Sequence, residues 1–233
     1  MALESSNMKK QLYKGEMLTA LKCINSIIRF YNLATTTELK DGLDWYTTAN
    51  EYCRELASRF NITIQQAAGI IAVFSPQAGW TENKRYAVSF LINHKNILRS
   101  RVQVKKAKKI VTLSSEDDIY NAQTVADAAF KTKSFFLNIL NPDVATDVTI
   151  DRHAIAVCLQ LPDHTFALDQ SYAKYTKAQY DFFQTCYIRA AAKLDILPHQ
   201  LQAITWLTYR RLRELKEHTD SNHWKPFTEE NPF

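Results

Sequence analysis

The sequence predicts an all-α fold, and two observations support the prediction. Glycine is scarce, at 4 of 233 residues, which removes the usual supply of positive-φ turn residues that hairpins and barrels need. Apolar residues recur at helical spacing along most of the chain. A chain of this length can also bury a sizeable core, either as one large domain or as two closely associated lobes.

The first part of the chain is predicted to hold four helices. Apolar residues at helical spacing predict helices at about 9–33, 45–60, 65–74 and 81–98. A Thr-rich linker that turns at Asp41-Gly42 is expected between the first two. Thr63 and Gln66 have the spacing of a capping box. The helix that they start is apolar nearly all round, so we expect it to be buried.

The rest of the chain is predicted to hold helices separated by polar turns. They are expected at about 102–113, 119–130, 131–139, from 152, along 182–194, and from Pro198, which suits the first position of a helix. An irregular loop is predicted at 161–169. The polar segment 217–233 contains two prolines and is predicted to be a loosely held tail.

Positive charge is concentrated in one segment, although the net charge of +5 is mild. Between His94 and Lys109 there is no acidic residue and there are seven cations: Lys95, Arg99, Arg101, Lys105, Lys106, Lys108 and Lys109. Such a run indicates either a phosphate-binding patch or a solvated helix face.

The four cysteines and the N-terminus indicate a cellular compartment. Cys23, Cys53, Cys158 and Cys186 are far apart and form no CxxC pair, so buried thiols in a reducing environment are expected rather than disulfides or a metal cluster. Residues 1–10 lack the apolar core of a signal peptide, and no apolar run approaches the roughly 20 residues needed to span a bilayer. We therefore expect a soluble, cytoplasmic protein without metal or cofactor.

The segment Asp147–Val157 carries the most informative chemistry. Asp151 follows a short β-prone step and precedes a new apolar-periodic segment, so it can act as a helix N-cap, a contribution of about 1 kcal/mol, or as a general base. The preceding helix opens with Lys131 and Lys133. An amine and a carboxylate at neighbouring helix starts suit nucleophilic chemistry. The alternative is one capping aspartate and two solvated lysines.

Three segments in the same order resemble the helix-hairpin-helix DNA glycosylases of the endonuclease III type. Residues 68–84 are similar to a buried helix that ends in a Ser-x-Gln loop, followed by an Asn-Lys pair that opens the next helix. Residues 102–110 are similar to the family's following segment. Lys133 precedes Asp151 by eighteen positions, which is the family's spacing between its lysine and its catalytic aspartate. The resemblance covers about two-fifths of the chain, from Gln66 to Val157.

The resemblance implies a two-lobed helical fold with an interlobe cleft. One lobe would span about 62–150, and the other about 9–61 together with 151–216. It also implies cleavage of the N-glycosidic bond of a damaged or modified base in DNA. Asp151 would be the carboxylate base and oxocarbenium stabiliser, and Lys133 a candidate Schiff-base nucleophile that would add lyase activity.

Two features set the chain apart within that resemblance. The glycines of the family's hairpin are replaced in residues 129–133, where Lys131 could supply charge instead of a backbone amide anchor. The family's four-cysteine cluster motif is absent, so no iron–sulfur centre is expected. Ser75–Asn83 and Leu201–Trp206 are also similar to segments of compact phage and plasmid-type proteins, some of which are thought to act in phage DNA base modification rather than repair.

Further candidate residues come with alternative structural roles. Gln77 would lie by the gap left by an extruded nucleotide, or cap its loop. Trp80 would stack on a flipped base, or belong to the core. Asn83 and Lys84 would bind phosphate or merely open a helix. His153 would transfer a proton, or cap or pack beside Asp151, and the second role is expected. On a later helix Gln202, Trp206 and Arg210 share one face. This face could line a cleft, or Trp206 could be a core residue flanked by surface groups.

Two other functions remain open from the sequence. The scaffold could process a modified nucleotide or transfer a group to a base substituent, since the lost glycines weaken the expected grip on a duplex. It could also be a non-catalytic module that binds nucleic acid or protein through the basic segment. DNA is the expected partner in the leading interpretation, and no membrane partner is expected.

Overall fold

The computed structural model describes residues 10–93, 99–123, 129–144, 147–160 and 174–217. Within these ranges the chain forms ten helices and one two-stranded hairpin, which confirms the predicted all-α class. The predicted loop at 161–169, Lys95 of the basic segment and the tail beyond residue 217 lie outside the described residues. The helices are α1 Ala20–Asn32, α2 Thr36–Phe60, α3 Ile64–Phe74, α4 Trp80–Asn93, α5 Arg101–Ile110, α6 Glu116–Ala122, α7 Phe130–Leu140, α8 Arg152–Leu159, α9 Lys177–Leu194 and α10 Pro198–Glu217.

The predicted first helix is wrong over its N-terminal half, which forms an antiparallel hairpin. Strands β1 (Lys10–Tyr13) and β2 (Glu16–Thr19) pair with Tyr13 opposite Glu16. Lys14 and Gly15, the two turn residues, have φ values of 51° and 84°, as a tight turn that matches the twist of its strands requires. A single glycine at the right position therefore supports a hairpin that the overall scarcity of glycine argued against.

The predicted linker and turn at Asp41-Gly42 are also wrong, because α2 is continuous through both residues. It begins with a reciprocal cap in which the Thr35 amide donates to Glu38 Oε2 at 2.8 Å and the Glu38 amide donates to Thr35 Oγ1 at 3.2 Å. Gly42 serves packing rather than a turn. A Cβ atom at this position would lie 2.7 Å from the main-chain N and Cα of Ile204, so its absence lets α10 approach α2 closely.

Most other helix starts agree with the sequence. Thr63 and Gln66 form the predicted capping box, and every residue of α3 from Gln66 to Phe74 is buried. α10 begins at Pro198, as predicted. α6 begins earlier than predicted because Ser115 caps it by accepting from the Asp118 amide.

The chain divides into two compact units, which are described separately. Among the described residues, unit A consists of those in 10–46 and 143–217, and unit B of those in 47–142. In unit A, α1 packs on α8, α9 and α10. In unit B, the buried α3 packs on α4, α5, α6 and α7. The predicted lobe boundaries and the cleft stay predictions.

The cysteines are buried free thiols, as expected for burial in a reducing environment. In unit A the thiol of Cys23 forms hydrogen bonds with those of Cys158 and Cys186, which together lower its pKa. Cys53 of unit B has its pKa raised to about 12 by burial. No helix in the described part of the chain is long and apolar enough to cross a membrane.

Candidate functional site

Asp151 lies at the N-terminus of α8 and caps it. Buried residues Val148, Thr149 and Ile150 precede it outside any helix or strand, and Asp151 itself is extended, with φ −104° and ψ −179°. Its Oδ1 accepts a hydrogen bond from the Ala154 amide at 2.9 Å. The predicted capping role is therefore confirmed, and it fixes one carboxylate oxygen in place.

The second carboxylate oxygen of Asp151 is paired with a histidine. Its Oδ2 lies 3.0 Å from His153 Nδ1, and the two side chains are 16 % and 14 % exposed. The His153 ring also meets the ring of Tyr209 edge-on, with centroids 6.0 Å apart. His153 therefore packs beside Asp151, as predicted, and helps to orient a carboxylate that solvent still reaches.

The charge of Asp151 acts on three tyrosines of unit A. Burial raises the pKa of Tyr46, Tyr175 and Tyr187, and the negative charge of Asp151 raises each of them further. These phenols stay neutral at physiological pH. A charge that is partly removed from solvent, like that of Asp151, exerts a stronger electrostatic effect than it would in water.

The predicted stripe on α10 has two parts with different roles. Gln202 is buried, and its Oε1 accepts a hydrogen bond from the Tyr46 hydroxyl at 3.1 Å. Trp206 is partly exposed and meets Trp45 edge-on, with centroids 6.4 Å apart. The Arg210 guanidinium lies over the Trp206 ring, 4.9 Å from its centroid. Gln202 thus has a structural contact, whereas Trp206 and Arg210 form a stacked pair that solvent reaches.

Lys131 and Lys133 belong to unit B, at the start of α7, where Ala129 provides no side-chain cap. Both side chains are partly exposed. Lys133 Nζ lies 4.3 Å from the ring centroid of Tyr120, within the range of a cation–π contact. The predicted action of Lys133 together with Asp151 of unit A stays a prediction.

Arg99 forms hydrogen bonds with main-chain carbonyl groups at the end of α3 and in the loop that follows it. One guanidinium nitrogen of Arg99 donates to the carbonyl of Phe74 at 2.9 Å and to the carbonyl of Pro76. Gln77 has a left-handed backbone, with φ 59°, and is exposed; its predicted contact with the gap left by an extruded nucleotide stays a prediction. Arg99 belongs to the basic segment of the sequence, but here its guanidinium group stabilises this loop.

Asn83 and Lys84 are buried, at 2 % and 1 % exposure. In this structure a phosphate group therefore has little access to either side chain, contrary to the predicted contacts. Lys84 Nζ lies 5.2 Å from the ring centroid of Tyr52 and 5.9 Å from that of Trp80, and the two rings meet edge-on. Trp80 thus packs against other side chains, as in its alternative role. The four-residue spacing of Trp80 and Lys84 could have shown that they share one helix face. The sequence analysis did not identify Tyr52, which lies on another helix.

The basic segment forms α5, and its cations differ in exposure. Lys106 is partly buried and its Nζ donates to the Gln123 carbonyl at 2.5 Å. Four other cations are exposed, and none of them forms an ion pair with a residue that the structure describes: Arg101, Lys105, Lys108 and Lys109. Their spacing places them along one side of α5, which we call the α5 cationic face.

A metal site finds no support in the described ranges, where no group of three or more His, Cys, Asp or Glu side chains could hold an ion. The chain belongs to a family of unknown function, DUF7178, whose model matches residues 9–213. No curated protein and no solved structure matches it.

Proposed function

We propose that this member of the family cleaves the N-glycosidic bond of a damaged or modified base in DNA, with Asp151 as the reacting carboxylate. Breaking this bond builds positive charge on the sugar, which a nearby carboxylate stabilises. The same carboxylate can deprotonate the incoming nucleophile. The proposed reaction also follows from the resemblance of residues 66–157 to helix-hairpin-helix DNA glycosylases.

The geometry of Asp151 is the observation that carries this proposal. Its two oxygens are held by different partners, Ala154 N at 2.9 Å and His153 Nδ1 at 3.0 Å, yet the side chain keeps 16 % of its exposure. A carboxylate that is already oriented needs little reorganisation when charge develops beside it. The partly exposed Trp206–Arg210 pair in the same unit offers an aromatic surface and a cation for a nucleic-acid ligand.

The nucleophile in this proposal is water or Lys133. Water needs only deprotonation by Asp151. Lys133 would have to leave the face of Tyr120 and lose its proton before attacking C1′. If it does attack, the product is a Schiff base, which permits strand cleavage as well as base release.

Base release from a panel of duplexes tests the proposal. The duplexes would carry uracil, oxidised, alkylated and hypermodified bases, and released base would be measured for the wild type and for Asp151→Asn. We expect release that disappears in Asp151→Asn and persists in Asp181→Asn, which changes an exposed carboxylate paired with Lys177 on α9. Absence of release from every duplex, by folded wild-type protein, would refute the proposal.

A second candidate is a non-catalytic module that binds nucleic acid through the α5 cationic face. Its four cations are exposed and form no ion pair within the described ranges, and such cations favour phosphate contacts. This candidate predicts that Asp151→Ala leaves binding intact, whereas charge reversal of all four cations abolishes it. Base release that depends on Asp151 would exclude it.

A further inference from the structure

The main chain just before Asp151 is bonded by side chains of α9. Residues 148–150 are buried and lie outside any helix or strand. Buried main-chain groups need hydrogen-bond partners, because an unsatisfied group costs about as much free energy as a lost hydrogen bond. For this segment the partners include Tyr180 and Gln184, which are four residues apart and therefore lie on one face of α9.

Tyr180 bridges two main-chain groups of the segment with one hydroxyl. The hydroxyl accepts a hydrogen bond from the Ile150 amide at 3.2 Å and donates one to the Val148 carbonyl at 3.1 Å, as a phenolic group that both donates and accepts can do. Gln184 Nε2 donates to the same carbonyl at 3.0 Å and also to Asp147 Oδ1. Tyr180 is only 2 % exposed, so water has little access to replace these bonds.

We propose that Tyr180, assisted by Gln184, is a positioning residue for Asp151. The inference rests on the proposed function, in which Asp151 is the reacting carboxylate and Tyr180 acts only through it. An N-cap side chain reaches its amide only while its own backbone stays non-helical, and Asp151 has φ −104° and ψ −179°. The Tyr180 hydroxyl holds the amide of Ile150, the residue directly before Asp151, and so fixes the direction in which the chain enters α8.

Two other tyrosines contact the same segment, and neither replaces the bridge. Tyr46 forms a hydrogen bond with the side chain of Thr149, which leaves the main chain to α9. The Tyr175 hydroxyl lies 3.5 Å from the Ile150 carbonyl oxygen, at the outer limit of a hydrogen bond. Removal of the Tyr180 hydroxyl therefore leaves the Ile150 amide buried without the partner that it has here.

Hydrogen exchange of the Ala154 amide, followed by nuclear magnetic resonance, tests the inference without any substrate. This amide lies in the first turn of α8 and donates to Asp151 Oδ1 at 2.9 Å, so its protection reports on the carboxylate itself. Asp151→Ala supplies the rate for a lost bond. We expect Tyr180→Phe, which keeps the ring and removes the hydroxyl, to speed this exchange by about fivefold, the change that loss of a cap bond predicts.

Two more variants complete the exchange experiment. Gln184→Met keeps the Tyr180 bridge and should speed the exchange of the Ala154 amide by a smaller factor. The matched control is Tyr86→Phe, which also removes a hydroxyl from a largely buried tyrosine, but one that bonds Glu82 on its own helix in unit B. It should leave the exchange rate of Ala154 unchanged.

Steady-state base release separates positioning from a general loss of structure. On a duplex that the wild type processes, kcat of Tyr180→Phe should fall by about tenfold to a hundredfold, as expected when a reacting group is displaced by up to about 1 Å. KM should stay near the wild-type value, because the lost contribution belongs to the transition state rather than to binding. Tyr86→Phe should keep the wild-type kcat.

The exchange and kinetic results can fail independently. An unchanged Ala154 exchange rate in folded Tyr180→Phe, or an unchanged kcat, would overturn the inference. If Tyr180→Phe does not fold, unchanged exchange in Gln184→Met overturns it instead. If the wild type releases no base from any duplex, the proposed function fails, and the exchange rates alone decide whether α9 positions Asp151.

Discussion

Replacing Gly42 with alanine tests how closely α2 and α10 approach each other. The added Cβ would lie 2.4 Å from Ile204 Cγ1 and 2.7 Å from Ile204 Cα and N, so α10 would have to move by roughly 1 Å to reach ordinary contact distance. Overpacking of this kind costs about 1–3 kcal/mol, and main-chain neighbours place it at the upper end. Alanine regains about 1 kcal/mol of helix propensity. The expected net loss is about 2 kcal/mol.

Thermal unfolding followed by circular dichroism measures this loss. For a chain of this size a loss of about 2 kcal/mol lowers Tm by about 6 °C. The control is Gly79→Ala, because nothing lies within 4 Å of the Cβ position there, and we expect a change within about 0.5 kcal/mol. A Gly42→Ala variant as stable as the wild type, or more stable, would refute the close approach.

Three further predictions address the cap of α8, the partly buried ion pair of Glu38 and Arg211, and the α5 cationic face. Asp151→Ala should lose about 1 kcal/mol of unfolding free energy and Asp151→Asn only a few tenths, because asparagine keeps an oxygen for the Ala154 amide; equal losses in thermal melts would contradict the capping geometry. Burial alone raises the pKa of Glu38, but hydrogen bonds from Arg211 and Thr35 outweigh it and lower that pKa below 4.5. The ionised Glu38 therefore stabilises the fold above about pH 4.5, and the stability lead of the wild type over Glu38→Gln in urea titrations should shrink as the pH falls through the lowered pKa; a pH-independent difference would disprove this. If the protein binds duplex DNA, changing the four cations of the α5 cationic face to glutamine should reduce the slope of log affinity against log salt by about 3–4, and an unchanged slope would place the DNA elsewhere.

Local patterns allowed much of the fold to be predicted. Thr63 and Gln66 form their capping box, Asp151 caps α8 and Pro198 begins α10, because each of these features depends on residues within one turn of helix. The buried character of α3 was also readable, since a helix that is apolar all round has no face to offer to water. Among the candidate site residues, the proximity of His153 to Asp151 follows from the same short-range geometry.

The wrong predictions involve residues whose roles depend on distant partners. Asp41-Gly42 has the composition of a turn, but Ile204 determines what Gly42 does. The apolar period of the first predicted helix includes Leu18, which lies in β2, and Tyr13 packs on Phe183 far along the chain. Lys84 resembles any lysine near a helix start until Tyr52 and Trp80 enclose it.

The sequence by itself determined the helical class, the caps and the placement of a carboxylate at the start of α8, since these follow from hydrogen bonds and apolar spacing within a few residues. Only the tertiary structure decided which polar groups lose contact with water. The lowered pKa of Lys84 depends on that loss. Desolvation is set by side chains brought together from separate helices, and no local pattern encodes it.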